Sequence, residues 1–432
     1  MRYYVDPFGC AKNQVDAENM MLYLNNAGWS AAPDAADADI IIVNSCGFIQ
    51  SAKQESINAV LQWRKLYPGK KILLAGCLAQ RYAQELAESL PEADGFFGVD
   101  DISKIAVAVH SLMGGENETL GKSSTALRPL LSFPGSAYVK ISEGCDNNCA
   151  FCAIPLIRGA LRCRAVADIV DECKGLLARG IKELCVIGQD IGSYRSDSAE
   201  LPELLNAIAE LEGNFWVRLL YIHPDHFPLQ ILDLMERDRR FLPYFDIPFQ
   251  HASPKILAAM NRRGCAEDYI SLVATIRQRI PASVIRTTFL AGFPGETDAD
   301  FAALLDFQEK LRADWLGCFS YSREEETPAC TMKGQVPAKI AARRQRQVEE
   351  RQIPITEKSV DRFIGQNLDV LLEERFEGGE GDPLWLGRLY CHAPEVDGVA
   401  VVTGSGMEAH AGDVLPCKVI TRCGVDVEVL LT

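Results

Sequence analysis

Ser142-Glu143-Gly144-Cys145-Asp146-Asn147-Asn148-Cys149-Ala150-Phe151-Cys152 is a Cys-x-x-x-Cys-x-x-Cys run that directly follows a short apolar stretch at 137–141. Three thiolates on one short loop suffice for three irons of a cubane, whereas a closed cluster takes a fourth cysteine, so this spacing leaves one iron open to a substrate. Two other readings stand beside it. Structural zinc wants four closed ligands, and no fourth Cys or His lies in the loop. Plain packing is the other, because free cysteine is among the most buried residue types.

Outward from this loop, stretches at 137–141, 183–187, 216–221, 243–247 and 284–290 read as strands alternating with helical patterns. That alternation predicts a full or partial β/α barrel, whose functional groups gather at the carboxyl ends of the strands. Gly188-Gln189-Asp190 and the segment Arg286-Thr287-Thr288-Phe289-Leu290-Ala291-Gly292-Phe293-Pro294-Gly295-Glu296-Thr297 are therefore placed at strand ends, with an ordinary salt-bridged loop as the other reading for Arg286 and Glu296.

Toward the amino terminus, 3–8, 39–44 and 71–75 read as strands and 14–27, 52–66 and 80–90 as helices, the pattern of an open α/β sheet. Each strand runs into a cysteine: Cys10, Cys46 and Cys77. Their separations of 36 and 31 residues (46 − 10 and 77 − 46) fit no local metal loop, yet ligands collect beyond strand ends in such sheets, so the fold itself can bring the three together. Taken singly, each is equally well a packed thiol.

Toward the carboxyl terminus, a helix dense in Arg and Glu at 339–358 precedes five short strands at 368–373, 384–390, 399–403, 413–420 and 425–430, which predict a small antiparallel β-barrel. The Arg343 to Arg351 run is interleaved with Gln and Glu and reads as a solvated helix face. The expected division is residues 1–112, a linker at 113–135, 136–358 and 359–432.

The net charge of −15 argues against sequence-independent nucleic-acid binding. From Asp361 onward thirteen acidic and five basic residues leave the small barrel at −8, which suits a basic partner or merely a solvated acidic surface. No apolar run reaches the length of a membrane span, and the opening Met-Arg-Tyr-Tyr-Val-Asp-Pro has no apolar signal core, so a cytoplasmic protein is expected. Fifteen cysteines in a reducing compartment point to metal or packing before disulfides.

The Cys145, Cys149, Cys152 loop, with Phe151 before its last cysteine, resembles that of the radical S-adenosylmethionine superfamily. Gly9-Cys10-Ala11-Lys12-Asn13, Asn44-Ser45-Cys46-Gly47-Phe48-Ile49 and Ala75-Gly76-Cys77-Leu78-Ala79-Gln80-Arg81-Tyr82 narrow the resemblance to the methylthiotransferases. Within that family, Asp246-Ile247-Pro248-Phe249-Gln250-His251 and Ala393-Pro394-Glu395-Val396-Asp397-Gly398 look like the RimO-type branch, which modifies an aspartate of small-subunit ribosomal protein S twelve. The resemblance implies an amino-terminal domain, a radical domain and a TRAM barrel. It further implies two [4Fe-4S] clusters, one on Cys145, Cys149 and Cys152 and one on Cys10, Cys46 and Cys77. S-adenosyl-L-methionine would be contacted by Phe151, Gly188, Gln189, Arg286 and Gly292. The implied partners are the ribosomal protein, or the subunit carrying it, and an electron donor such as flavodoxin or ferredoxin. Arg158-Gly159, Arg162 and Arg164 follow the loop as the family pattern does, with Cys163 and Ala165 where Ser and Pro are usual. The alternatives are methylthiolation of adenosine in transfer RNA and a non-catalytic zinc-binding ribosome or RNA adaptor.

Overall fold

A computed structural model describes residues 1–115, 127–197, 199–376, 384–404 and 408–432; part of the expected linker, 116–126, lies outside the described residues. The chain forms two compact units that cut across the sequence order. The first comprises Met1–Leu131, Glu143–Arg162 and Ser322–Cys330, and the second comprises Ser132–Ser142, Cys163–Tyr321 and Thr331–Thr432.

In the first unit, strands β1 (Arg2–Pro7), β2 (Ser30–Ala31), β3 (Ile40–Ser45), β4 (Lys71–Gly76) and β5 (Gly95–Phe97) form an all-parallel sheet in the order β2-β1-β3-β4-β5. A parallel sheet with helices on both faces needs apolar residues throughout, and Ile40-Ile41-Ile42-Val43 are all fully buried. Alternation sends Ile41 and Val43 against Val60 of α2 (Gln50–Leu66) and Leu78 and Leu86 of α3 (Cys77–Ser89). Ile40 and Ile42 pack against Met20 and Leu24 of α1 (Ala11–Asn26) and Ile105 and Val109 of α4 (Ile105–Leu112). The chain leaves β1 toward β2 and then crosses to β3, so the crevice between β1 and β3 is the switch point where doubly wound sheets take ligands. Cys10 and Cys46 follow those two strands, and Cys77 opens α3 directly after β4.

The second unit holds a six-stranded parallel sheet whose strands follow one another in sequence: Ser136–Lys140, Glu183–Ile187, Trp216–Leu219, Phe241–Asp246, Val284–Ala291 and Trp315–Ser320. It stays open, a partial barrel. The sixth strand was not anticipated from the sequence, since its residues alternate only irregularly between buried and half-exposed. As an edge strand it leaves backbone groups without a ladder partner. The helix Ala338–Asp361 supplies side chains along this edge: Gln345 accepts from the Ser320 N–H, Gln352 donates to the Ala313 carbonyl and Thr356 to that of Asp314. This is why Gln alternates with Arg there. Arg343, Arg346 and Arg351 are exposed as expected of a solvated face, but Arg344 is buried against Glu296 (3.3 Å) and Asp298 (2.7 Å).

The five carboxyl-terminal strands close into a barrel, with one parallel pairing, Ala400–Thr403 with Asp426–Leu431, among antiparallel ones. It joins the parallel sheet through buried charge. Arg388 pairs with Glu183 (2.6 Å) and Glu373 (2.6 Å), and Arg218 pairs with Glu183 (2.7 Å) and donates to the Tyr390 carbonyl. Burial alone would raise the Glu183 carboxyl, but Arg388 and Arg218 outweigh it and hold it at about 2.

Removing one partner of a buried pair strands the others' charge. Arg388→Met is expected to cost about 3–5 kcal/mol of unfolding free energy, read by denaturant titration. Burial raises the Asp397 carboxyl to about 6 against the opposing pull of Arg286 and its hydrogen bond from Tyr244. Its folded form therefore holds a proton more tightly than its unfolded form, and its stabilising contribution, full below pH 3.8, is lost as pH rises through about 6. The expected outcome is that Asp397→Asn flattens the fall of Tm across that window relative to the parent chain.

Candidate functional site

Asn13 is where the strand-end loops of the first unit meet. Its Nδ2 donates to the carbonyls of Phe8 (3.2 Å) and Ser45 (2.9 Å), its own carbonyl accepts from Asn44 Nδ2 (2.8 Å), and its Oδ1 accepts from the Cys77 thiol (3.1 Å). One buried amide thus ties the ends of β1, β3 and β4 together. Glycines let the loops touch: a Cβ on Gly9 would lie 3.1 Å from Cys46 Cβ, and one on Gly47 would lie 2.7 Å from the Cys77 carbonyl oxygen. The Cys46 N–H is held by Ser56 Oγ (3.1 Å). Cys10, Cys46 and Cys77, separated by dozens of residues, are thereby brought to one end of the sheet.

Their thiols differ electrostatically. Desolvation opposes ionisation of Cys10, but Lys12, Arg158 and the backbone N–H groups of Asn13 and Lys12 outweigh it and lower its pKa. Desolvation raises Cys46, and burial pushes Cys77 up to about 12 despite the attraction of Arg158.

The Cys145, Cys149, Cys152 loop belongs to the same unit. Its turns are self-bonded: Cys145 N–H donates to the Gly159 carbonyl (3.2 Å), Leu161 N–H to Asp146 Oδ1 (2.9 Å), and Cys152 N–H to the Cys149 carbonyl (3.0 Å). All three cysteines and Phe151 are half-buried. The loop leads into the one-turn helix Ile154–Arg158, where Ala153 and Ile157 pack on Cys77 and the Arg158 guanidinium reaches Cys77 Sγ (3.1 Å). The segment Ser322–Cys330 closes over the same region: Ala329 N–H donates to the Ala150 carbonyl (2.9 Å), and Glu324 pairs with Lys53 (2.8 Å) and Arg81 (3.0 Å). Neither Asn13 as a hub nor Arg158 as a link was singled out from the sequence. The available signal was an arginine directly after the apolar run Ile154-Pro155-Leu156-Ile157.

None of the described cysteines is in a disulfide. Among the described residues no three His, Cys, Asp or Glu side chains surround a point as the ligands of a single ion would. A cubane takes one thiolate at each of three irons, so its ligands stand around a volume, and two sets of three cysteines fit that donor chemistry. Cys173, Cys185, Cys318, Cys391 and Cys417 are buried as packing.

In the second unit, Gly188 directly follows the strand Glu183–Ile187, with Gln189 half-buried beside it, and Gly292 directly follows Val284–Ala291. Asp190 shapes the first of these turns, accepting from Gly192 N–H (3.0 Å), His223 N–H (3.0 Å) and Ser193 Oγ (2.6 Å), with His226 Nδ1 at 2.8 Å. Glu296 shapes the second by accepting from the N–H groups of Gly292 and Phe293. His251 is buried and its Nδ1 accepts from Ser253 N–H (3.0 Å). Arg286 lies near the start of its strand. It is level with Trp315, the first residue of the neighbouring strand, and its guanidinium pairs with Asp246 (3.1 Å) and Asp397 (3.5 Å) at the small-barrel junction. On its other side it stands level with Asp246, the last residue of the strand Phe241–Asp246.

Residues 2–98 match the uncharacterized protein family UPF0004, residues 139–307 the radical SAM superfamily and residues 364–429 the TRAM domain. The chain is 46% identical to the ribosomal protein uS12 methylthiotransferase RimO of Treponema denticola, over 98% of this chain and 99% of that one. It is 40% identical to the RimO proteins of Carboxydothermus hydrogenoformans (92% of each chain) and Thermotoga maritima (94% and 95%). The chain belongs to the RimO family. As a radical SAM enzyme of this family it uses S-adenosylmethionine and a [4Fe-4S] cluster. Among solved structures, the radical S-adenosylmethionine methyltransferase TsrM of Kitasatospora setae aligns over 76% of each chain with a TM-score of 0.56 and 16% identity, a likeness of fold. No described helix is long and apolar enough to cross a membrane.

Asn13→Ala would orphan the buried carbonyls of Phe8 and Ser45, at about 1–3 kcal/mol each. The expected outcome is a lower Tm of the metal-free protein and faster amide exchange in the loops after β1 and β3.

Proposed function

We propose that this chain transfers a methylthio group to the β-carbon of an aspartate in ribosomal protein uS12, acting in the cytoplasm where ribosomes are assembled. The observation that carries the reading is the meeting of Cys10, Cys46 and Cys77 at one end of the sheet, in the same compact unit as the Cys145, Cys149, Cys152 loop. Full-length relatives bearing the uS12 methylthiotransferase name support it.

Cys145, Cys149 and Cys152 would hold the [4Fe-4S] cluster of the radical domain, and Cys10, Cys46 and Cys77 a second one. When bound, a cubane with an open iron supplies the electron that splits S-adenosylmethionine to a carbon radical able to take hydrogen from carbons no general base can deprotonate. The chain's own residues hold and orient. Phe151 flanks the loop's last cysteine. Gly188, Gln189 and Gly292, at the carboxyl ends of their strands, are assigned to S-adenosylmethionine, with Asp190 and Glu296 fixing the turns that present them. The electron donor is proposed to be a flavodoxin or ferredoxin. The acidic small barrel favours a basic ribosomal protein over transfer RNA.

Protein purified without oxygen is expected to hold about eight irons, falling to about four in a Cys10, Cys46, Cys77 triple-alanine variant, with matching acid-labile sulfide. About four in both would remove the second cluster and the methylthiolation reading with it. Cys149→Ala is expected to abolish deoxyadenosine formation and the mass gain of uS12; modification of transfer RNA in place of uS12 would overturn the substrate assignment.

A further inference from the structure

Arg158 is among the largest fully buried side chains, and its guanidinium is shared between the two cysteine sets of the first unit. One terminal nitrogen donates to Glu143 (2.7 Å), which lies two residues before Cys145. The other donates to Asn13 Oδ1 (2.7 Å), Asp16 Oδ2 (2.8 Å) and Cys77 Sγ (3.1 Å). Withdrawing a guanidinium from water costs several kcal/mol unless it is well paired, and here it is paired chiefly with groups that surround one sulfur.

The two partners of Cys77 Sγ are not equivalent. As a thiol, Cys77 gives its proton to Asn13 Oδ1. As an iron-bound thiolate it has no proton to give, and the only role left to its sulfur in this network is to accept. The Arg158 N–H is already aimed at it. A charged donor on a ligand sulfur draws electron density from the iron and favours the more negative, reduced cluster, and in a desolvated site that effect is strong. Asp16, fully buried and within 2.8 Å of the same nitrogen, acts in the opposite sense.

We propose that Arg158 is a positioning residue that sets the reduction potential of the cluster on Cys10, Cys46 and Cys77 through its hydrogen bond to Cys77 Sγ, with Asp16 as the counterweight. This rests on the second-cluster reading above. It also gives the helix after the radical-domain loop a function at the other set of thiols.

The test uses full-length chain carrying Cys145→Ala, Cys149→Ala and Cys152→Ala, reconstituted without oxygen, so that only the second cluster can load. With Arg158 intact it must hold about four irons; failure to load overturns the second-cluster reading itself. In that background the midpoint potential is read by EPR-monitored titration. Arg158→Gln is expected to shift it negative, Arg158→Lys to shift it less, and Asp16→Asn to shift it positive. Unchanged potentials, or shifts of the same sign for Arg158→Gln and Asp16→Asn, would reduce Arg158 to a strut and overturn the proposal. Should Arg158→Gln not load, its iron content is compared in the complementary Cys10, Cys46, Cys77 triple-alanine background. Loss confined to the second cluster supports the assignment, and equal loss at both sites overturns it.

Discussion

A guanidinium taken out of water must find partners for its donors, and the buried Arg158 finds them only if the Cys145 loop and the ends of β1 and β4 lie where they do. Asn13 imposes the same condition from the other side, because its amide is satisfied only when Phe8, Ser45 and Cys77 are all within reach. Two polar side chains thus make the positions of the strand-end loops mutually dependent. The cysteines inherit their placement from that dependence, since each lies within a few residues of a group these two side chains hold.

The second unit applies the same physics to assembly. Glu183, at the start of its strand, is engaged by Arg218 and by Arg388 from the small barrel, and Arg286 shares Asp246 and Asp397. Buried ion pairs contribute little net stability but penalise any arrangement that leaves one member unpaired. They therefore select one seating of the small barrel on the parallel sheet. Part of that barrel's acidic excess is spent here: the side chains of Glu373 and Asp397 are buried in these pairs.

Much of this was legible in the chain. The apolar runs of β3 and β4 announce strands because both faces of a parallel sheet are covered, and the cysteines after β1, β3 and β4 announce strand-end ligands. The sixth strand of the partial barrel was not legible, because an edge strand covered by the side chains of one helix need not alternate cleanly. The ion pairs of Arg286 with Asp246 and Asp397 were not legible, because partners 40 and 111 positions away leave no mark in its own segment.

By itself, the sequence determined the six thiols and the three-residue and two-residue gaps of the Cys145 loop, because ligation by one loop is a matter of local spacing. It determined the parallel-sheet architecture for the same local reason, periodicity. Only the tertiary structure decided that Cys10, Cys46 and Cys77 share one end of a sheet, and that a single buried arginine spans both sets. Those are contacts between residues 15 to 145 positions apart, and the pairing of a desolvated charge across such distances leaves no periodic mark in a chain.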